Sequence, residues 1–159
     1  NIKQFGLHEG MAVVDLGAGT GAYTIASARE VGGEGHVYAV EVQKDLLQNI
    51  KNAASDAGVS NVEVIWGDIE RNGKTKIKDR TVDAVIVANV LFQVEDMDGT
   101  LLEIKRILKP EGRVLVVDWK DSFGGMGPQT GEIFSYEEAR KSFEESGFSF
   151  LKNIDAGDH

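Results

Sequence analysis

Short apolar runs alternate with helical spacings along almost the whole chain. Met11 to Leu16 is an apolar run that ends in a glycine-rich turn, and Thr20 to Val31 then carries Ala22, Ile25, Ala26 and Arg29 at helical spacing. His36 to Glu41 reads as a second strand. Asp45 to Ala57 reads as a helix whose apolar face holds Leu46, Leu47, Ile50, Ala53, Ala54 and Ala57, with Gly58 placed to end it. Val62 to Trp66 is a third strand. Val82 to Ala88 is the most apolar run of the chain and has the character of a strand buried on both faces. Gly99 to Leu108 is helical and is stopped by Lys109-Pro110-Glu111-Gly112, after which Arg113 to Trp119 forms another buried strand. Ser135 followed three residues on by Glu138 is a capping box. The helix it opens runs to about Ser146 and is closed by Gly147, and Phe148 to Ile154 is expected as a last strand.

Strand–helix alternation with continuous apolar strands predicts an α/β domain: a Rossmann-like, doubly wound, mainly parallel sheet with helices on both faces. In such sheets ligands bind beyond the carboxyl ends of the strands, where the strand order reverses. The glycine turn after the first strand belongs at that edge. With 159 residues the chain is long enough for one domain spanning 1–159.

Charge and composition narrow the functions. The net charge of −9 weighs against nucleic acid as a partner, because phosphate binding needs a basic face. The one basic tract, Lys74-Thr75-Lys76-Ile77-Lys78-Asp79-Arg80, reads as a solvated loop. The chain has no cysteine, which excludes a disulfide framework, a thiolate metal site and a cysteine nucleophile, and fits a reducing cytoplasm. No metal is expected. No apolar run approaches a membrane span, and no signal-peptide pattern is present. The first residue is Asn1 rather than Met, which reads as a trimmed N-terminus.

The candidate chemistry centres on Val13-Val14-Asp15-Leu16-Gly17-Ala18-Gly19-Thr20-Gly21. Glycines between a strand and a helix permit a tight turn and close approach of backbone to a ligand. Gly17-x-Gly19-x-x-Ala22 also satisfies the dinucleotide fingerprint, and Glu41 at the end of the second strand suits ribose hydroxyls with either ligand type. Three features separate the readings. Asp15 is a carboxylate just ahead of the turn, unfavourable beside a pyrophosphate and useful beside a cationic ligand. Gly67-Asp68 supplies a second carboxylate that can accept from an exocyclic amine. Asn89 offers polar groups after the fourth strand.

With these residues in place, the sequence resembles the class I S-adenosylmethionine-dependent methyltransferases, and looks most like their type 11 and ubiquinone/menaquinone-biosynthesis-like branch. Residues 13–21, 37–41, 64–69, 82–91 and 108–119 are similar to that family's five successive motifs, and the resemblance covers roughly residues 5 to 155. It implies a strand order of 3-2-1-4-5 followed by a C-terminal strand. It implies S-adenosylmethionine as cofactor. Asp15, Gly17, Ala18 and Gly19 would face its methionyl part, Glu41 the ribose, Val42 and Ile69 the adenine ring, Asp68 the adenine amine, and Asn89 the transferred methyl. The implied reaction is in-line methyl transfer to a small-molecule acceptor.

Such a displacement needs positioning and exclusion of water more than it needs a general base. No residue stands out as that base: His8 and His36 precede strands at the opposite edge, and His159 is terminal. Phe92, Gln93, Asp118, Trp119 and Lys120 follow strands four and five and are candidates for acceptor contact. The glycine-rich segment from Asp121 to Ile133, with Phe123 and Met126, is a candidate lid. Related methyltransferases that act on arsenite use cysteines, and this chain has none.

Two departures from the family are expected. Only about ten residues precede Met11, where the family usually has a covering helical segment. The chain also stops after the sixth expected strand, without the usual seventh antiparallel one, which would leave unpaired edge groups: either the sequence is cut short, or the sheet ends in a non-standard way, or another chain supplies the strand in a homo-oligomer. Two alternatives stay open: an NAD(P)-dependent oxidoreductase, and a non-catalytic cofactor-binding or partner-binding module.

Overall fold

The computed structural model describes residues 1–121 and 127–156. A short helix α1 (Ile2–Phe5) leads into β1 (Ala12–Leu16), α2 (Ala22–Val31), β2 (His36–Glu41), α3 (Lys44–Asp56), β3 (Val62–Trp66), β4 (Val82–Ala88), α4 (Met97–Ile107), β5 (Leu108–Val117) and α5 (Tyr136–Glu145). The five strands form one sheet in the order β3-β2-β1-β4-β5, with every neighbouring pair parallel. The order reverses between β1 and β4. The doubly wound sheet and its strand order agree with the sequence-based expectation.

The period of two along the strands sorts the core into two layers. Val14 and Leu16 of β1 join Val85 and Val87 of β4 on one face, under Leu101, Ile104 and Ile107 of α4 and Phe143 of α5. Val13 joins Ala84 and Ile86 on the other, under Ile2 and Phe5 of α1 and Ala28 and Val31 of α2. Ile50 of α3 packs on Ala39 and Ala18. Of the apolar face expected on α3, only Ile50 and Ala54 are fully buried. The helix ends where expected, with Gly58 in the left-handed region at φ 68°. The capping box at Ser135 is formed in both directions: Ser135 Oγ accepts from Glu138 N, and Ser135 N donates to Glu138 Oε2.

Three expectations need correction. β5 begins at Leu108, not Arg113: Leu108 pairs with Val82, Arg113 pairs with Ala84, and the residues between bulge out of register. The tract 74–80 is not simply solvated, because Thr75 and Ile77 are buried between exposed lysines. Residues 148–154 form no strand. Phe148 stacks edge-on against Phe143, and Phe150 against Tyr136, so both rings serve α5 rather than alternating across a sheet. Further on, Lys152 Nζ donates to the Gln4 carbonyl, Asp155 N donates to Gln4 Oε1, and Ile154 packs on the α1 side. This segment straps α5 to α1, and among the described residues β5 pairs only with β4.

Candidate functional site

Parallel register brings all five strand ends to one edge. Leu16 lies beside Val40 and Val87, Glu41 beside Trp66, and Ala88 beside Val117. The residues singled out from sequence follow these positions. They therefore converge on the carboxyl edge around the β1/β4 reversal. His36, by contrast, opens β2 at the opposite edge, where its Nε2 lies 3.4 Å from Glu63 Oε2. His8 lines a shallow cleft there with Met11, Asp83, Lys109 and Arg113.

The turn after β1 depends on glycine for different reasons at different positions. Gly17 has φ 73°, and a Cβ on it would come within 2.5 Å of Val90 Cγ2. The turns after β1 and β4 are thus in direct contact at the reversal point. Gly19 has φ 53°, and a Cβ there would meet nothing closer than the Gly17 carbonyl at 3.9 Å. Packing does not demand Gly19; its left-handed backbone does, and the space above it is open. The turn is tied to β2 by Gly17 N and Ala18 N, both donating to the Val40 carbonyl at 2.8 and 3.1 Å.

Glu41 closes the next side. Its side chain is only 4% exposed. Its Oε2 accepts from Gly19 N at 3.0 Å and its Oε1 from Gln43 N at 2.8 Å. A carboxylate at the end of β2 therefore holds both the glycine turn and the start of α3. Val42 beside it is 57% exposed and Trp66 47% exposed, an apolar wall at the ends of β2 and β3. The Trp66 indole N–H donates to the Val42 carbonyl at 2.9 Å, and Lys44 Nζ stands 4.5 Å from its ring. Asp68 is half-buried: Oδ1 accepts from Glu70 N, and Oδ2 lies 3.3 Å from Arg71 Nε. Ile69 is also half-buried and packs towards the β4–α4 core.

Asp15 lies deeper than its place just ahead of the turn suggests. It is 2% exposed, and its Oδ2 accepts from Thr24 Oγ1 of α2 at 2.6 Å. Burial raises its pKa from an ordinary 3.8 to about 6. The Thr24 hydrogen bonds oppose this, and the nearby Glu41 charge adds to it. Asp15 thus lies beneath the turn rather than in its mouth.

On the β4–β5 side, Asn89 is exposed at φ 57° and donates from its backbone N to the Val117 carbonyl at 2.7 Å. Gln93 is exposed, and Phe92 is half-buried in the short helical turn Leu91–Gln93. Asp118, grouped by sequence with the acceptor contacts, is instead engaged with backbone. Oδ2 accepts from Leu91 N at 2.8 Å and Oδ1 from Trp119 N at 2.9 Å, with Val90 and Phe92 amides also directed at it. Burial raises its pKa against these bonds. Lys120 is exposed, and a Cβ on Gly127 would lie 2.6 Å from the Trp119 ring, so that glycine backs onto the indole. Phe123, Met126 and His159 lie outside the described residues.

Sequence reading missed one cluster that bears on this edge: Glu103 and Arg106 of α4 with Thr75. The signal was an acid on the apolar stripe of a helix, Thr100, Glu103, Ile104 and Ile107, with an arginine three residues on.

A parallel sheet with a glycine turn at its reversal point, a buried acid ending the second strand and an apolar wall beside it defines a Rossmann-like, nucleoside-type cofactor-binding protein. Comparison with known proteins narrows the class. Residues 7–148 match the family model described as "Methyltransferase domain". A ubiquinone/menaquinone biosynthesis C-methyltransferase, UbiE, of Idiomarina loihiensis is 31% identical over 82% of this chain and 51% of its own length. A demethylmenaquinone methyltransferase of Listeria monocytogenes is 28% identical over 96% and 76%. Among solved structures, a SAM-dependent methyltransferase from Aquifex aeolicus superposes with TM-score 0.81 at 33% identity, covering 92% of this chain and 76% of that one. The cyclase SpnF superposes with TM-score 0.77 at 26% identity, covering 92% and 53%. This chain spans about half the length of the Idiomarina relative. It belongs to the methyltransferase-domain family, in the class I S-adenosylmethionine-dependent group and its UbiE-like branch.

Proposed function

We propose that the chain binds S-adenosylmethionine at the carboxyl edge of its sheet and transfers the methyl group to a small-molecule acceptor. The observation that carries this reading is the buried Glu41 carboxylate bound to the amide of Gly19, with open space above that glycine. The donor set suits a nucleoside with a cationic tail. Glu41 would accept from the ribose hydroxyls, Val42 and Ile69 would flank the adenine, and Asp68 would accept from its amine. Gly17, Ala18 and Gly19 would pass close to the methionyl part, with Asp15 supplying negative charge from beneath and Asn89 lying towards the methyl end.

When bound, S-adenosylmethionine supplies a methyl group on a positively charged sulfur, already activated for displacement. The protein's part is to orient it and to exclude water. Phe92, Gln93, Trp119 and Lys120 are the proposed acceptor-side contacts. The names of the relatives make a hydroxylated aromatic ring of the naphthoquinol type the first acceptor to test. A cytoplasmic location and a homo-oligomeric state complete the reading. No helix among the described residues is long and apolar enough to cross a membrane.

Two further readings have a specific motive. SpnF is named as a cyclase, so this fold also serves proteins named for a different reaction, and cofactor binding without methyl transfer is the second reading. A nicotinamide-dependent oxidoreductase is disfavoured by the Asp15 carboxylate beneath the glycine turn, where an anionic pyrophosphate would lie. Calorimetric titration with S-adenosylmethionine, S-adenosylhomocysteine and NAD tests the cofactor: preferential binding of NAD would overturn the proposal. Label transfer from methyl-labelled cofactor to naphthols, phenols, amines and thiols tests the reaction. Tight binding with no transfer to any of them would favour the second reading.

A further inference from the structure

The connection between β3 and β4 carries Asp68 and Ile69 and contains no regular element, yet it is pinned to α4 at three levels. At the helix start, Glu70 Oε2 accepts from Glu95 N at 2.9 Å and Asp96 N at 2.5 Å. A Cβ on Gly99 would collide with the Glu70 carbonyl oxygen, so chain and helix touch there. In the middle, Glu103 holds the connection by one backbone amide and one hydroxyl: Oε2 accepts from Gly73 N at 2.7 Å, and Oε1 from Thr75 Oγ1 at 2.5 Å. At the far end, Arg106 donates to the Ile77 carbonyl at 2.7 Å and to Asp79 Oδ1 at 2.6 Å, while its other nitrogens hold Glu103 at 2.5 and 2.9 Å.

Glu103 is 0% exposed. A fully buried carboxylate is an expensive way to hold a surface connection, and apolar anchors serve the same end, as Ile77 does in the same tract. What a buried, fully bonded carboxylate adds is direction, because it fixes where its donors stand. Those donors lead back to the site. The Lys74 carbonyl, between Gly73 and Thr75, accepts from Asp68 N at 3.4 Å, and a Cβ on Gly67 would lie 2.8 Å from that same oxygen. Residues 73–75 therefore form the floor against which Gly67 and Asp68 are set.

We infer that Glu103, acting through Gly73 and Thr75, is a positioning residue that aims the Asp68 carboxylate at the base of the bound nucleoside, and so sets the preference for adenine. The inference rests on the cofactor reading above. Glu103 itself does not reach the site. Its effect is on the placement of Asp68 and not on the ribose or methionyl contacts.

The test compares, by calorimetry on the whole chain, the affinities for S-adenosylhomocysteine and for S-inosylhomocysteine, whose base has a carbonyl in place of the amine. The wild type is expected to prefer the adenine form by about tenfold, the worth of one well-placed hydrogen bond. Thr75→Val, which removes only the hydroxyl, and Glu103→Gln are each expected to bring that preference below about threefold. Thr75→Ser should restore it. Adding Thr75→Val to Asp68→Ala should change the preference no further. A role in stability alone would lower the unfolding midpoint and leave the ratio untouched. Folded Thr75→Val or Glu103→Gln protein that keeps the wild-type ratio overturns the inference. A wild type that binds both ligands equally overturns it through Asp68. A wild type that binds neither overturns the cofactor reading beneath it.

Discussion

Replacing Asp15 with asparagine should make the protein more stable at neutral pH and less responsive to the charge of its ligand. Asp15 is buried, and its pKa is raised to about 6 from 3.8, with burial as the main cause. The unfolded chain releases this proton near pH 4, whereas the folded chain keeps it until about pH 6. Between those values the folded state binds more protons, so stability falls as pH rises, and above pH 6 the full cost is present. The displacement corresponds to roughly 3 kcal/mol. The substituted amide would stay neutral, and its side-chain oxygen can still accept from Thr24. Urea unfolding followed by circular dichroism from pH 4 to 8 should show D15N ahead of wild type by about 2–3 kcal/mol at pH 7.5 and level with it near pH 4. A difference that does not vary with pH, or a less stable variant at pH 7.5, would refute the reasoning. The same linkage reaches the ligand. A cationic ligand favours the ionised Asp15, so binding near pH 5.5 should release a proton. It should do so more for S-adenosylmethionine than for S-adenosylhomocysteine, which lacks the sulfonium charge. Calorimetry in two buffers of different ionisation heat reads that proton directly, and D15N should show none.

Gly17→Ala sets a Cβ 2.5 Å from Val90 at φ 73°, and should cost about 3 kcal/mol in urea unfolding from overpacking and left-handed strain together; a loss under about 0.5 kcal/mol would show that the two turns are not in contact. Glu41→Gln should weaken S-adenosylhomocysteine binding by about tenfold or more in calorimetry, since one charged acceptor is lost from the proposed ribose contact; unchanged affinity would remove Glu41 from the site. Asp118→Ala strips the shared acceptor from the amides of Leu91 and Trp119 and should raise the KM for a methyl acceptor several-fold while the cofactor Kd stays within about twofold. An equal effect on both would mean that Asp118 supports the whole edge and not the acceptor side.

What the sequence disclosed and what it hid divide along local and non-local interactions. β2, β3 and β4 run over His36–Glu41, Val62–Trp66 and Val82–Ala88, the same spans as their apolar runs. The runs of β3 and β4 are bounded by glycine or polar residues, and that of β2 opens after Gly35 and closes on Glu41, so local pattern alone sets their limits. The expected last strand failed because Phe148 and Phe150 look alike whether they line a sheet face or pack on a helix; only the positions of Phe143 and Tyr136 decide. Helix α1 is four residues long and has no periodicity to read. In the site, the strand-end rule brought Gly17, Glu41, Asp68 and Asn89 to one edge. It could not say how deep each side chain lies, so it left open that Asp15, just ahead of the turn, is buried against α2. Asp118 shows the same limit, since a strand-end acid can face a ligand or collect backbone amides, and register alone does not distinguish them.

The buried acids argue for where a ligand is needed. Glu103 is wholly buried, yet hydrogen bonds from Arg106, Thr75 and Gly73 outweigh burial and hold its carboxyl below the ordinary range. Its charge is answered within the fold. Asp15 is as deeply buried, but its hydrogen-bond partner is a neutral hydroxyl, and the charge that acts on it is another carboxylate, Glu41. Two acids beside one glycine turn therefore leave negative potential in a low-dielectric setting, where it counts for more than at the surface. The neutral amide of Asp15→Asn would fill the same space and keep the Thr24 bond without that penalty. Retaining the acid makes physical sense if a cation completes the site. The sulfonium and ammonium groups of S-adenosylmethionine are cations of that kind, whereas a pyrophosphate would add to the repulsion.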